Sequence, residues 1–294
     1  MIFLIAIAII ISLYFIIPKG TNLHEIIRLP YYNYKAQTAR KDEMLMEKHS
    51  FGDHHQQYFM LFLPKNGNVT QDQVIVYFHG GGWTFGSPMM FRCNAQFFVD
   101  RGYAVVMPTY RRLPFFRAPD MLEDAALALK KTSTVLASKD LGHKKIILGG
   151  LSSGGHLAGL LAYDENIWSN LKISRDRLAG IMLLAAPLDF SSMAPTPVLW
   201  RLAGRKGSDF SKRASPVTYV NQGDEKPVLI VHGTKDGLVN YKGSISFLEK
   251  RGAQSLVFHT IKNGTHLDAG YWVFEEGDTR EAVLKWLAEI QNEE

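Results

Sequence analysis

Two glycine-rich motifs and one late histidine hold the residue types that could do chemistry here. The first is Gly150-Leu151-Ser152-Ser153-Gly154-Gly155-His156, which follows the apolar run Ile146-Ile147-Leu148 and precedes a helical pattern. A serine on a sharp strand-to-helix turn presents its hydroxyl as a nucleophile, and glycines two positions before and after it let strand and helix approach without clashing Cβ atoms. Ser152 meets this condition, whereas Ser153 has Leu151 two residues before it. The second motif is His79-Gly80-Gly81-Gly82-Trp83, which ends the apolar run Val74 to Phe78. Its glycines leave backbone N–H groups unshielded, and such donors can hold an oxyanion. Either motif alone is weak, but both stand at strand ends in the order that a nucleophile-elbow site needs.

A serine hydroxyl needs a base, and that site has the chain order nucleophile, acid, histidine. Asp236 sits in His232-Gly233-Thr234-Lys235-Asp236, just beyond the run Val228 to Val231, and only His259 and His266 follow it. His259 falls inside a strand pattern, while His266 follows Asn263-Gly264 on a loop, where an imidazole can reach a serine. Asp189, just after the preceding strand, is the alternative acid, and Asp268 reads as a solvated loop carboxylate. The implied chemistry is attack by Ser152, proton acceptance by His266, and an imidazolium held in place by Asp236, with an acyl-enzyme between two such steps. His79 reads as a brace for the glycine loop and His156 as packed on its helix.

The pairing of His79-Gly80-Gly81-Gly82 with Gly150-Leu151-Ser152-Ser153-Gly154-Gly155 resembles the hormone-sensitive-lipase-like esterases and their relatives. Tyr110-Arg111-Arg112-Leu113-Pro114 is similar to that group's Tyr-Arg-Leu-x-Pro stretch with one extra arginine, and the likeness covers about Tyr58 to Ile290. The acid's setting, His-Gly-x-x-Asp-x-x-Val, is closer to feruloyl-esterase-like and kynurenine-formamidase-like relatives, and Leu151 replaces a more usual polar residue before the serine. The resemblance implies an α/β-hydrolase fold, a carboxylesterase activity, and an oxyanion hole built from the N–H groups of Gly81, Gly82 and Ser153. Substrates would be small acyl or aryl esters. Trp83, Phe85, Phe115, Phe116, Trp200, Tyr271 and Trp272 are expected to offer apolar surface near the site. The alternatives are an amide hydrolase using the same machinery, either formamidase or peptidase, and a catalytically silent binding protein on the same fold.

The elements that must position these residues alternate in the α/β manner. Strands are predicted at Tyr58 to Leu63, Val74 to Phe78, Ala104 to Pro108, Lys145 to Leu148, Gly180 to Ala185, Val228 to Val231 and Ser255 to Ile261. Several are continuous apolar runs, as in a mostly parallel sheet flanked by helices. Helices are predicted from Ser87-Pro88 to Gly102, from Pro119 to Val135, after Ser152, from Gly243 to Arg251, and from Asp278 to Gln291. The stretch 189–226 is longer than an ordinary connection and reads either as one helix with loops or as a small cap over the site.

With 294 residues, 46% hydrophobic and 21% charged, the chain can bury one large core. Its formal charge of +5 is scattered, without a basic run interleaved with aromatics, so nucleic acid is not an expected partner. The single cysteine, Cys93, cannot form an intramolecular disulfide and reads as core packing. No metal-ligand spacing, Walker loop or dinucleotide fingerprint is present, so no metal or cofactor is expected. Nothing in the sequence sets an oligomeric state.

The first 18 residues differ from the rest. Met1 to Ile17 is almost wholly apolar and Pro18-Lys19-Gly20 stops it. As a helix this run would rise about 26 Å against a hydrocarbon core of about 30 Å. Lys19, Arg28, Lys35, Arg40 and Lys41 follow it. The expectation is therefore a membrane anchor at 1–18, a connecting segment at 19–55, and a catalytic domain at 56–294 on the cytoplasmic side. The alternative is a cleaved signal with a secreted, periplasmic or lumenal domain, which the sequons at Asn68 and Asn263 would suit.

Overall fold

The computed structural model describes residues 16–39 and 44–292. In chain order the strands are β1 (Met44–Ser50), β2 (Tyr58–Pro64), β3 (Gln73–Phe78), β4 (Ala104–Pro108), β5 (Lys145–Leu151), β6 (Leu178–Leu184), β7 (Val228–Gly233) and β8 (Leu256–Ile261). They form one sheet in the order β1-β2-β4-β3-β5-β6-β7-β8. Strand β2 runs antiparallel to both β1 and β4, and all pairings from β4 to β8 are parallel. The helices are α1 (Asn22–Thr38), α2 (Arg92–Val99), α3 (Ala118–Ala137), α4 (Ser153–Tyr163), α5 (Glu165–Leu171), α6 (Pro197–Ala203), α7 (Asp209–Arg213), α8 (Lys242–Arg251) and α9 (Asp278–Asn292).

Why the sheet is covered on both faces is visible in β3, whose six residues are all buried. Side chains alternate across a strand, so Val74, Val76 and Phe78 meet Met121, Ala125 and Leu129 of α3 and Leu157 and Leu161 of α4. Ile75 and Tyr77 point the other way, into a second core holding Phe97 and Phe98 of α2 and Val283, Trp286 and Leu287 of α9. Each such side chain contributes roughly 1.5–3 kcal/mol of burial free energy. The centre of the sheet is thereby packed on both faces. The loops carrying the candidate chemistry leave the carboxyl ends of β3, β5, β7 and β8, all parallel, so they gather at one edge.

Three differences from the sequence reading have physical causes. The helix expected from Ser87 starts only at Arg92, because Ser87 to Phe91 form separate turns, Met90 N–H to Ser87 C=O at 3.1 Å and Phe91 N–H to Pro88 C=O at 3.2 Å, that carry the chain across the cavity. Strand β1 was not predicted: it is a largely exposed edge strand whose Glu47, Lys48 and His49 hide any apolar alternation. Residues 19–55, read as a connecting segment, contain both β1 and the 17-residue helix α1. The apolar run Met1 to Ile17 lies outside the described residues except for its last two. Among the described residues, no helix is long and apolar enough to cross a membrane.

Candidate active site

Strand β5 runs without a break into Ser152, whose backbone is forced to φ 56°, ψ −123° and is tied to the end of β6 by its N–H to the Leu184 carbonyl at 2.8 Å. An L-residue at positive φ is strained, and the glycines around it explain how the turn closes. A Cβ on Gly154 would lie 2.1 Å from the Phe78 carbonyl oxygen, and one on Gly150 would lie 2.5 Å from the Gly154 carbonyl carbon. Helix α4 can therefore start against β3 and β5 only with glycine at both places, which lifts the Ser152 side chain clear of the sheet. Ser153 opens α4, so its N–H has no carbonyl one turn earlier to bond.

The glycine loop meets this turn from β3. Gly81 and Gly82 take φ values of 130° and 57°, and Leu151, Ser152, Gly80, Gly81 and Gly82 line one cavity. The loop is braced from below. His79 is fully buried, pairs its Nδ1 with the Gly80 carbonyl at 2.8 Å and its Nε2 with Thr109 Oγ1 at 3.2 Å, and stacks on Tyr110. Burial pushes its pKa down to about 4, so it stays neutral at pH 7 and serves as the expected brace. The Tyr110 hydroxyl donates to the His79 carbonyl at 3.2 Å, Leu113 N–H donates to the Trp83 carbonyl at 3.0 Å, and Arg112 donates to the Gly86 carbonyl. Arg112 thus holds the loop from outside, while Arg111 binds the buried Asp124 carboxylate at 2.9 Å.

Across the same cavity stand Asp236 and His266. His266 Nδ1–H donates to Asp236 Oδ2 at 2.7 Å, and the carboxylate has no exposed surface. Asp236 Oδ1 accepts from the N–H groups of Leu238 and Val239 at 2.9 and 2.8 Å, and Oδ2 also lies 3.1 Å from His232 Nε2. Burial alone would raise its pKa, but the His266 charge and the hydrogen bonds from His232 and His266 outweigh it and hold the carboxyl well below the usual range. His266 is the mirror case: burial works to lower its pKa, and the Asp236 charge and hydrogen bond, with Glu25 adding to them, raise it above the ordinary value. The buried carboxylate therefore favours an imidazolium, which is the species formed when a serine gives up its proton.

The structure brings the predicted nucleophile, base, acid and loop glycines to one cavity. Ser152, Gly81, Gly82, Asp236 and His266 line one cavity of about 730 Å³, and Ser153 follows the serine directly. Asp189 is occupied elsewhere, accepting from Ser191 N–H and from Ser246 Oγ, each at 2.8 Å. His259 bonds Thr279 Oγ1 at 3.0 Å on β8. Other readings are corrected. Asp268 is not a free loop carboxylate but pairs with Arg28 at 2.6 Å and accepts from Thr265 N–H. Of the seven aromatics expected near the site only Trp83 and Phe85 line its cavity; Phe115 is exposed, Phe116 packs edge-on against His54, Trp200 borders a separate hollow behind α6, and Tyr271 and Trp272 lie beyond the histidine loop. His156 does more than pack on its helix, since it accepts from Trp83 Nε1 at 3.2 Å and donates Nε2–H to the Ala214 carbonyl at 2.7 Å. Residues of 193–199, within the stretch read as a cap, form one wall of the cavity.

Two residues of the site were missed. His232 is buried behind the acid, its Nε2–H shared between the Val239 carbonyl at 3.2 Å and Asp236 Oδ2 at 3.1 Å while Nδ1 accepts from Ser244 Oγ at 2.7 Å. The signal was its place at the end of β7, four residues before Asp236. The other is Glu25 on α1, whose carboxylate accepts from the backbone of His266, 241 residues away, and nothing local in the sequence points to it.

The chain is similar to proteins named as esterases and deacetylases. The family model described as BD-FAE matches residues 60–250. An esterase of Fusarium pseudograminearum is 34% identical over 239 residues, which are 73% of this chain and 71% of that protein. Human arylacetamide deacetylase-like 2 is 35% identical over 106 residues, 33% of this chain and 26% of that protein, so the chain spans about a quarter of this relative's length. Among solved structures, a truncated carbohydrate esterase from gut microbiota superposes with a TM-score of 0.72 at 18% identity, covering 85% of this chain and 98% of that one.

Proposed function

Because the chain belongs to the BD-FAE family, an α/β-hydrolase family, we propose that it is a serine carboxylesterase in which Ser152 is the nucleophile, His266 the general base and Asp236 its orienting acid. The observation that carries this reading is the fully buried Asp236 carboxylate 2.7 Å from His266 Nδ1, across one cavity from a serine held at positive φ. Ser152 attacks the ester carbonyl while His266 Nε2 takes its proton, and the N–H groups of Gly81, Gly82 and Ser153 receive the oxyanion. The alcohol leaves with the proton from His266, and water then repeats the cycle on the acyl-enzyme.

The cavity supports apolar acyl or aryl esters, since Leu29, Tyr32, Phe91, Leu151, Met193 and Leu199 line it and Phe85 and Val198 stand exposed at its mouth. The relatives named arylacetamide deacetylases give a specific reason to keep amides as the second reading. A panel of p-nitrophenyl esters from acetate to palmitate, assayed beside an aryl acetamide and N-formylkynurenine, tests both. Turnover of esters alone, with a preference for chains longer than acetyl, is the expected result; turnover of the amides alone would replace the ester reading, and a chain inert to all of them would favour a silent binder.

We also propose that Met1 to Ile17 anchors the enzyme in a membrane with the catalytic domain on the cytoplasmic side, on the strength of its apolar length and the Lys19, Arg40 and Lys41 that follow. The anchored protein should stay in the pellet after alkaline carbonate extraction and escape protease added to sealed cells. A shortened chain in the soluble fraction would make the run a cleaved signal, and digestion of a still-anchored chain would reverse the orientation.

A further inference from the structure

We infer that Glu25, on the N-terminal helix α1, is a positioning residue for His266, acting as an external cap on the loop that carries it; the inference rests on the catalytic reading given above. Glu25 has no exposed surface. Its Oε1 accepts from His266 N–H at 2.9 Å and its Oε2 from Leu267 N–H at 3.4 Å. Those two amides open the short 3-10 helix Leu267–Val273, which has no capping side chain of its own at His266. The first N–H groups of a helix need outside acceptors, and here the acceptor arrives from the opposite end of the chain.

The same face of α1 holds the loop at further points. Arg28, three residues on, donates to Thr265 Oγ1 and pairs with Asp268 at 2.6 Å, while Thr265 N–H donates to Asp268 Oδ2 at 2.7 Å. Tyr32, seven residues on from Glu25, packs edge-on against Tyr271 and Phe274 at 5.5 Å. Residues at i, i+3 and i+7 share a helix face, so Glu25, Arg28 and Tyr32 form one stripe against 265–274. A carboxylate without exposed surface is costly to bury unless its oxygens are satisfied, and Glu25 directs both of them at the backbone beside His266.

The charge has a second effect. The groups facing His266 are Asp236, with His232 behind it, from the β7 loop, and Glu25 from α1; Arg28 and Asp268 flank Glu25 as a pair of opposite sign. Glu25 therefore adds negative potential beside His266 in addition to that of Asp236, and favours the protonated ring formed during attack.

Two variants of the full chain separate geometry from charge. Glu25→Gln keeps the shape and one carbonyl acceptor but not the charge, and Glu25→Ala removes both. Measured on p-nitrophenyl butyrate, E25A is expected to lose kcat by on the order of tenfold or more with KM nearly unchanged, because a misplaced base affects the chemical step rather than substrate binding. E25Q is expected to keep most of kcat while the acid limb of its kcat/KM profile moves to lower pH. Active-site titration with a fluorophosphonate expresses each rate per competent enzyme, so a fold lost in part does not pass for slow chemistry. A folded E25A with the wild-type rate per site, or an E25Q whose acid limb does not move, would overturn the inference. Should E25A not fold, the limb in E25Q decides alone. His266→Ala is the control: if it keeps full activity the catalytic reading has failed, whereas an inactive H266A beside unaffected Glu25 variants sinks this inference only.

Discussion

Replacing Asp236 by asparagine tests the architecture most severely per atom changed. The carboxylate accepts four hydrogen bonds: from Leu238 and Val239 N–H at Oδ1, and at Oδ2 from His266 Nδ1 at 2.7 Å and, shared with the Val239 carbonyl, from His232 Nε2 at 3.1 Å. An amide has one acceptor and one donor end. If its oxygen keeps the two backbone amides, its NH2 faces two imidazole N–H groups, and His266 must turn its lone pair on Nδ1 inward and carry its proton on Nε2, where it is no longer a base. If the amide flips, the Leu238 and Val239 backbone donors, the second of them on a buried residue, meet an NH2 group instead. The first arrangement removes the base; the best-studied triad loses roughly ten-thousandfold in kcat from this change. The second leaves donors unsatisfied at roughly 1–3 kcal/mol each. Asp236→Asn should therefore fold with a modestly lowered melting temperature and lose kcat by about three to four orders of magnitude, read from steady-state hydrolysis of p-nitrophenyl butyrate. A folded variant that retained a tenth of the wild-type kcat would show that Asp236 is not the acid.

Three smaller tests follow from the same contacts. His232→Phe fills the space but removes the contact with the Asp236 carboxylate, worth about 1.5–3 kcal/mol for a bond to a charged group, together with the bonds to Val239 and Ser244, so kcat should fall by roughly tenfold to a hundredfold with a lowered melting temperature; an unchanged kcat would make His232 a packing residue. Asp189→Asn should turn over within about twofold of wild type, since Asp189 serves Ser191 and Ser246 and does not meet the histidine; a collapse in kcat there would move the acid to the end of β6. The acid limb of kcat/KM should lie above the ordinary imidazole value of about 6.5, because the folded His266 pKa is raised, and activity should fall as pH drops through it; a limb below that value would contradict the environment described for His266.

How much of this was legible in the sequence depends on the range of the contact that carries it. The elbow was readable because its cause is local: Gly150, Ser152 and Gly154 fall within five residues, and the Cβ clash that demands glycine acts between adjoining elements. The central strands were readable because β3, β5 and β7 are buried on both faces and so are continuously apolar. The edge strand β1 escaped because an exposed strand has no such pattern. Asp236 was singled out by its position after β7, but the fourfold acceptance that distinguishes it from Asp189 depends on the turn geometry. Glu25 lies in a segment of mixed polarity, and its partner is at the other end of the chain, so periodicity and spacing give no hint of it. The aromatics were misplaced for the same reason: type and sequence position place Trp83 beside the glycine loop but do not reveal that Tyr271 and Trp272 turn away from the cavity.

The central claim is that Ser152 forms a covalent intermediate with its substrate, and it is tested most directly by mass spectrometry of the intact protein and its peptides after reaction with a fluorophosphonate. One adduct per chain, mapped to the peptide bearing Ser152, with hydrolysis lost in step with labelling and neither seen in Ser152→Ala, is the result expected of this site. Labelling on another residue, or a Ser152→Ala chain that still turns over esters at the wild-type rate, would contradict it.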